Sequence, residues 1–182
     1  NAMHSDDQLR RTLLSRVRMF FYAGAALAQP IWDSLYASAE KEVGERIVMT
    51  TSMGMTESAP FAIFVTSPHI RAGELGLPAP GMEIKLSPNS GKLELRYKGP
   101  NITPGYWRNP EATREAFDDE GFFCSGDAVQ WSDPDDLHRG IRFDGRIAED
   151  FKLATGTFVS VGPLRGKIIA AGAPYVQDAV IT

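Results

Sequence analysis

The chain has 182 residues, enough for one large domain or two small ones around a buried core. Apolar residues make up 43 % and charged residues 23 %, as in ordinary soluble globular proteins, and the net charge of −4 argues against a nucleic-acid partner, which needs a basic stripe. No apolar run reaches the length of a membrane span, no signal peptide is visible, and the single cysteine, Cys124, excludes an internal disulfide framework, making a reducing cytoplasm the default.

In chain order, Asn1, Ala2 and Met3 read as a tag remnant ahead of an initiator methionine and stand outside the fold reading. Residues 16–22 hold a mostly apolar, strand-length run ending at Gly24. Pro30 then opens a helix with Ile31, Leu35, Ala39 and Val43 four apart on one face. Residues 47–51 are a second short apolar run, closed by Ser52, Met53 and Gly54. Strand, helix and strand over this length predict a right-handed crossover between parallel strands. Ligands of such sheets sit outside the carboxyl ends of the strands. The loops that begin at Gly24-Ala25-Ala26 and at Ser52 should therefore open on one edge.

From Gly73 the texture changes. Residues 82–86 and 92–97 alternate apolar with polar around a turn at residues 87–91, which predicts an antiparallel hairpin with Leu93, Leu95 and Tyr97 on one face. Asn109 and Pro110 cap a short helix reaching Phe117. Residues 122–131 pair with residues 141–143 across the acidic loop 132–137, so residues 75–145 form a small β-rich unit. Another hairpin with Thr155-Gly156 at its turn follows, then a helix opened by Pro163. Residues 175–182 read as a strand stopping without turn or cap, which suggests a piece of a longer chain.

Three segments, in order, carry a family resemblance. They are Gly54-Met55-Thr56-Glu57; then Gly105-Tyr106-Trp107-Arg108-Asn109-Pro110-Glu111-Ala112-Thr113 with Ser125-Gly126-Asp127; then Gly145-Arg146 with Lys152 and Gly156. Each is short, but their order and spacing span about two-thirds of the chain. Together they resemble the adenylate-forming family of acyl-CoA synthetases, luciferases and peptide-synthetase adenylation domains. The stretch from Glu149 to Arg165 is most similar to feruloyl-CoA synthases; most relatives carry a Glu-Ile-Glu-like element near the Gly-Pro-Leu-Arg found here at 162–165.

The resemblance implies a mixed α/β fold in three parts. Residues 1–74 end the parallel αβ layer of a large domain, 75–145 form an antiparallel, barrel-like unit, and 146–182 hold a hinge and the start of a small α+β C-terminal domain. It also implies a two-step reaction: a carboxylate attacks the α-phosphate of ATP to give an acyl-adenylate and pyrophosphate, then the CoA thiol displaces AMP. Both steps need charge stabilisation at phosphate, a metal, and a grip on the nucleotide.

By the resemblance, the Thr56 hydroxyl meets a phosphate oxygen and the Glu57 carboxylate holds Mg²⁺; Thr56 alone could equally cap the next turn. Asp127 accepts from the ribose hydroxyls, and Arg146 is a second ribose or α-phosphate contact. An Asp127–Arg146 ion pair in the absence of nucleotide is compatible with those roles. Gly24, Ala25 and Ala26 match the adenine-side loop, and Met53 stands where many relatives stack an aromatic on adenine. The aryl acid falls near Phe21, Tyr22 and Met55, although Phe21 reads better as core. Lys152 and Gly156 line the CoA passage, or Gly156 serves only its turn. The family's charged hinge position falls on Ala148, so a charged latch is missing there.

Other candidates carry less. His4, His69 and His138 lack metal-ligand spacing. Cys124 reads as a half-buried strand thiol, and Asp133-Pro134-Asp135-Asp136 as a solvated turn. The family's phosphate loop and adenylating lysine do not occur in these residues, so this polypeptide alone is expected to show negligible ligase activity. The leading reading is an acid–CoA ligase acting on a hydroxycinnamate-type acid such as ferulate, with ATP, Mg²⁺ and CoA. An adenylation domain loading a carrier protein and a non-catalytic β-rich binding module remain open. Unpaired sheet edges near Tyr22 and Tyr175 predict self-association.

Overall fold

The computed structural model describes residues 2–24, 27–65 and 67–182. Two short helices, α1 (Ala2–Ser5) and α2 (Asp7–Leu14), open the chain where the sequence reading placed none. The local signal was a cap: the Asp6 carboxylate accepts from the Leu9 amide at 2.8 Å. Arg10, nearly buried, pairs with Asp7 at 2.6 Å and with Glu42 at 3.4 Å, which ties α2 to the following helix.

Strands β1 (Met19–Tyr22) and β2 (Val48–Met53) pair in parallel with helix α3 (Gln29–Val43) between them, as the strand–helix–strand pattern requires. The buried face of α3 matches the expected aliphatic row only in its middle: Ala39 is buried and Leu35 packs on the cluster, whereas Ile31 is 49 % and Val43 36 % exposed and Trp32 and Tyr36 are buried instead. The rings bury more apolar area than the aliphatics would. Trp32 packs edge-on between Tyr22 at 5.5 Å and Tyr36 at 6.3 Å, with Met49 of β2 completing the cluster.

The rest of the sheet is antiparallel. It adds β3 (Ile63–Phe64), β4 (Glu74–Pro78), β5 (Glu83–Asn89), β6 (Lys92–Lys98), β7 (Phe123–Trp131) and β8 (Ile141–Arg146), with α4 (Pro110–Glu115) between β6 and β7. Spatial order is β1-β2-β3-β4-β8-β7-β6-β5, so β3 and β4 join the parallel pair to the antiparallel strands in one mixed α/β sheet. Leu95, Tyr97, Phe123, Val129 and Ile141 form the larger core. At the other rim β1 exposes Met19 and Phe21, so Phe21, read from sequence as core, is 58 % exposed because no described strand covers that edge of β1.

The β5–β6 turn is tighter than the expected residues 87–91. Asn89 pairs with Lys92, leaving only Ser90 and Gly91 in the turn, with φ of 52° and 81°. This is the two-residue geometry that matches strand twist. Pro88 can join the ladder because β5 is an edge strand.

Beyond β8 come β9 (Phe151–Lys152) and β10 (Phe158–Val159), an antiparallel pair, then α5 (Val161–Gly172). Pro163 is the third residue of α5 rather than its opener. One buried carboxylate joins this part to the sheet. Asp150 forms an ion pair with Lys92 of β6 and accepts from the Val161 amide at 2.9 Å, its side chain only 2 % exposed. Lys92 also donates to the Asp144 carbonyl at 2.5 Å. Residues 175–182 form no strand: Tyr175 is 93 % and Val180 90 % exposed, and no described strand lies alongside to pair with them.

Candidate active site

The loop leaving β2 is shaped by backbone contact. A side chain at Gly54 would run into the backbone of Pro60, so only glycine lets the chain double back there. Thr56–Ser58 then form a single 3₁₀ turn. The buried Ser58 hydroxyl accepts from the Met55 amide at 2.9 Å and donates to the Met55 carbonyl at 3.0 Å. Met55, not Thr56, is the capping position, so the capping role weighed for Thr56 does not occur.

Contacts from beyond β6 hold this turn. The Asn101 amide donates to the carbonyls of Ser58 and Phe61, both at 2.7 Å, and the Thr103 amide donates to the Glu57 carbonyl at 2.7 Å. The Glu57 carboxylate accepts from the Tyr106 hydroxyl at 2.9 Å. That bond to an anion pushes the Tyr106 phenol pKa above its ordinary value. Glu57 is thus fixed in backbone and side chain while one carboxylate oxygen stays available.

Asp127 sits where two irregularities of the sheet meet. Between β6 and β7 the register runs from Glu94 opposite Ala128 to Arg96 opposite Cys124, so Leu95 alone faces Ser125, Gly126 and Asp127. Between β7 and β8, Asp127 faces Arg146 but Val129 faces Phe143, which places an extra residue in β8. Bulges re-aim side chains and increase local twist. Gly126, with φ of 71°, makes the corner.

The Asp127 side chain is 7 % exposed, and Arg146 Nε lies 3.2 Å from its Oδ1. Burial raises the Asp127 pKa above the usual carboxylate value, Arg146 works against that shift, and Glu149 adds to it. Tyr97, fully buried nearby, has a hydroxyl with no partner among the described residues; burial, then the Asp127 charge, holds its pKa up.

The structure therefore brings the sequence-predicted residues together in groups. Asp127 and Arg146 are in direct contact. Thr56 and Glu57 share one turn. Because β1 and β2 are parallel, with Tyr22 opposite Thr51, Gly24 and Met53 lie at the same sheet edge. The Thr51 hydroxyl donates to the Tyr22 carbonyl at 2.8 Å, joining those strand ends. Met53 and Met55 pack on the core that contains Tyr97. Ala25 and Ala26 lie outside the described residues. Lys152 and Gly156 lie apart on the exposed β9–β10 hairpin. Among the described residues no group of three or more His, Cys, Asp or Glu side chains could hold a metal.

Sequence reasoning missed Tyr106, Asn101 and Glu94 as partners of these loops. Tyr106 was read as a motif letter only. Glu94 was a polar letter of an alternating run and drew no reading of its own, yet it is 4 % exposed.

A mixed sheet with a parallel αβ end, carrying carboxylates at a loop tip and at a bulged corner, defines a mixed α/β protein. The AMP-binding enzyme family model matches residues 1–107, more than half of the chain, and the chain belongs to that family. It is 31 % identical over 122 residues to a probable 4-coumarate–CoA ligase of Dictyostelium discoideum, covering 63 % of this chain and 21 % of that protein. It is 28 % identical over 205 residues to a mitochondrial malonate–CoA ligase of Homo sapiens, covering 98 % and 34 % respectively. The chain thus spans a fifth to a third of the length of these relatives. A malonyl-CoA ligase solved as a ternary product complex with methylmalonyl-CoA and AMP superposes with TM-score 0.60 at 29 % identity, over 100 % of this chain and 38 % of that one. An anthranilate CoA ligase with anthranoyl-AMP shares the fold, with TM-score 0.72 at 24 % identity over 97 % of this chain and 33 % of that one.

Proposed function

We propose that the chain supplies nucleotide- and metal-handling residues of an acid–CoA ligase that activates an aryl carboxylate, of the hydroxycinnamate type, through an acyl-adenylate. The observation that carries this reading is the Asp127 corner: a buried carboxylate whose only recorded partner among the described residues is Arg146. A carboxylate offers about four acceptor positions. Asp127 thus keeps capacity for two neighbouring hydroxyl donors, which fits a ribose. Arg146, 57 % exposed, can turn its guanidinium to the ribose or α-phosphate without leaving Asp127 unneutralised.

Glu57 fits a cation of the Mg²⁺ kind. With no three-residue cluster beside it, a bound ion would complete its shell with phosphate oxygens and water, as Mg²⁺ commonly does. When bound, Mg²⁺ supplies charge neutralisation at the phosphates. Tyr106 holds the Glu57 carboxylate in one orientation, and Thr56 offers an exposed hydroxyl beside it. Gly24 and Met53, at one sheet edge, suit the adenine, with Tyr22 and Met55 toward the acid. Lys152 and Gly156 are assigned to the CoA side. Their exposed hairpin leaves both accessible to a ligand. The hydroxycinnamate choice rests on the resemblance of residues 149–165 to feruloyl-CoA synthases, and the likeness to a 4-coumarate–CoA ligase supports an aryl acid.

The test is pyrophosphate–ATP exchange by the full-length protein with a panel of acids. Exchange should depend on hydroxycinnamates and fall sharply in Asp127→Ala and Glu57→Gln. Exchange driven equally by aliphatic acids would remove the substrate class; exchange indifferent to both substitutions would remove the site.

A further inference from the structure

At the bulge that presents Asp127, side chains bind three backbone groups. The Ser125 hydroxyl donates to the Leu95 carbonyl at 2.5 Å and accepts from the Asp127 amide at 3.1 Å. The remaining group, the Gly126 amide, donates to Glu94 Oε1 at 3.2 Å. Buried backbone groups need such partners, because an unpaired one costs about as much as a lost hydrogen bond.

Glu94 divides its two oxygens between separate tasks. Oε1 faces the corner. Oε2 accepts from Arg96 Nε at 3.1 Å and Nη2 at 2.9 Å, and from the Asn89 side-chain amide at 3.3 Å. Arg96 also reaches Asp118 at 2.9 Å, and Asp118 pairs with Lys85 and accepts from the Glu120 and Phe122 amides. Arg96 is therefore neutralised from a second side. A buried carboxylate is costly to desolvate, so its placement here has to be offset by what it holds.

We propose that Glu94 is a positioning residue for Asp127: its carboxylate, oriented by Arg96, pins the Gly126 amide and so sets the corner from which Asp127 meets the two ribose hydroxyls. Glu94 touches no ligand itself. Releasing Gly126 would let a left-handed glycine relax, and the next residue's carboxylate would lose its aim while remaining ionised. This rests on the assignment of Asp127 to the ribose, and the experiment separates the two.

Binding of AMP and of 2′,3′-dideoxy-AMP is measured on the purified full-length protein. The wild type should prefer AMP by about 100- to 10,000-fold, the worth of two hydroxyl bonds to a charged acceptor. Asp127→Ala should bring the ratio close to one. Glu94→Ala should do the same with Asp127 present, leaving dideoxy-AMP affinity unchanged. Glu94→Asp, which keeps the charge for Arg96 and draws the acceptor back from Gly126, should also lower the ratio and serves if the alanine variant does not fold. A ratio that stays at the wild-type value in a folded Glu94 variant, while Asp127→Ala abolishes it, overturns the positioning role and leaves the ribose assignment standing. A wild type without preference for AMP overturns the ribose assignment and this proposal with it.

Discussion

The Asp127 corner and the β9–β10 hairpin are both small antiparallel arrangements, yet they are held in opposite ways. At the corner, three residues of β7 face one of β6, and side chains bind the Leu95 carbonyl and the Gly126 and Asp127 amides over a core of Leu95, Tyr97 and Phe123. The hairpin has two residues per strand and no buried side chain, and the segment that carries it meets the sheet at Asp150 and where Gly162 and Pro163 of α5 approach Gly145 of β8. The corner is embedded in the sheet; the hairpin hangs from it by a joint.

The largest effect that would sharpen this contrast comes from Asp150→Ala. Breaking a buried ion pair by removing one partner costs about 3–5 kcal/mol. Because Lys92 keeps the Asp144 carbonyl and β6 stays paired, the loss should be local. Hydrogen exchange should quicken across residues 147–172 while β6 and β7 amides stay protected. Uniform loss of protection would break the comparison.

Asp127→Asn comes next. AMP affinity should drop about 10- to 100-fold, with no fall in melting temperature. The sign follows from the raised pKa. The unfolded chain releases the proton at the ordinary value and the folded chain only at a higher one. Stability therefore declines with rising pH between the two and stays at that lower level at neutral pH. A neutral side chain escapes this decline. By the same shift, wild-type AMP binding should fade on acidification at a pH above the usual carboxylate value. A lower melting temperature for the variant at pH 7 would contradict the burial argument.

Tyr97→Phe removes a buried hydroxyl that has no partner among the described residues, and should stabilise the fold by about 1 kcal/mol in denaturant titrations. Destabilisation would show that the hydroxyl is satisfied. Smallest is Tyr106→Phe, which frees the Glu57 carboxylate. The pair is part-exposed, so the expected change is below about 1 kcal/mol, read as a modest rise in the Mg²⁺ concentration needed for exchange.

The regions differ, too, in how far their residues disclosed them. Alternation at Leu93, Leu95 and Tyr97 and the Asn109 cap were legible because strand and cap signals are local; the cap bond to Ala112 measures 3.0 Å. The parallel β1–β2 pair was legible through its crossover length. The buried face of α3 was partly misread because equal spacing describes both rows, and only the shape of the facing strand selects Trp32 over Ile31. Helix α2 was passed over although Asp6 announced it. Two-residue strands such as β3 carry too little periodicity to detect. At the site, Asp127 and Arg146 could be named, but Glu94 and Tyr106 could not be assigned their contacts. Their partners, Gly126 and Glu57, lie 32 and 49 residues away.

The Lys92–Asp150 contact sets the manner in which the last 30 or so residues can come loose. With its side chain 2 % exposed, Asp150 cannot leave Lys92 without standing as a poorly solvated charge, whereas Lys92 keeps Asp144 as a second partner. Asp150 also holds the first amide of α5, so slipping the carboxylate frays that helix in the same event. Because the pair is buried, added salt should weaken this joint little.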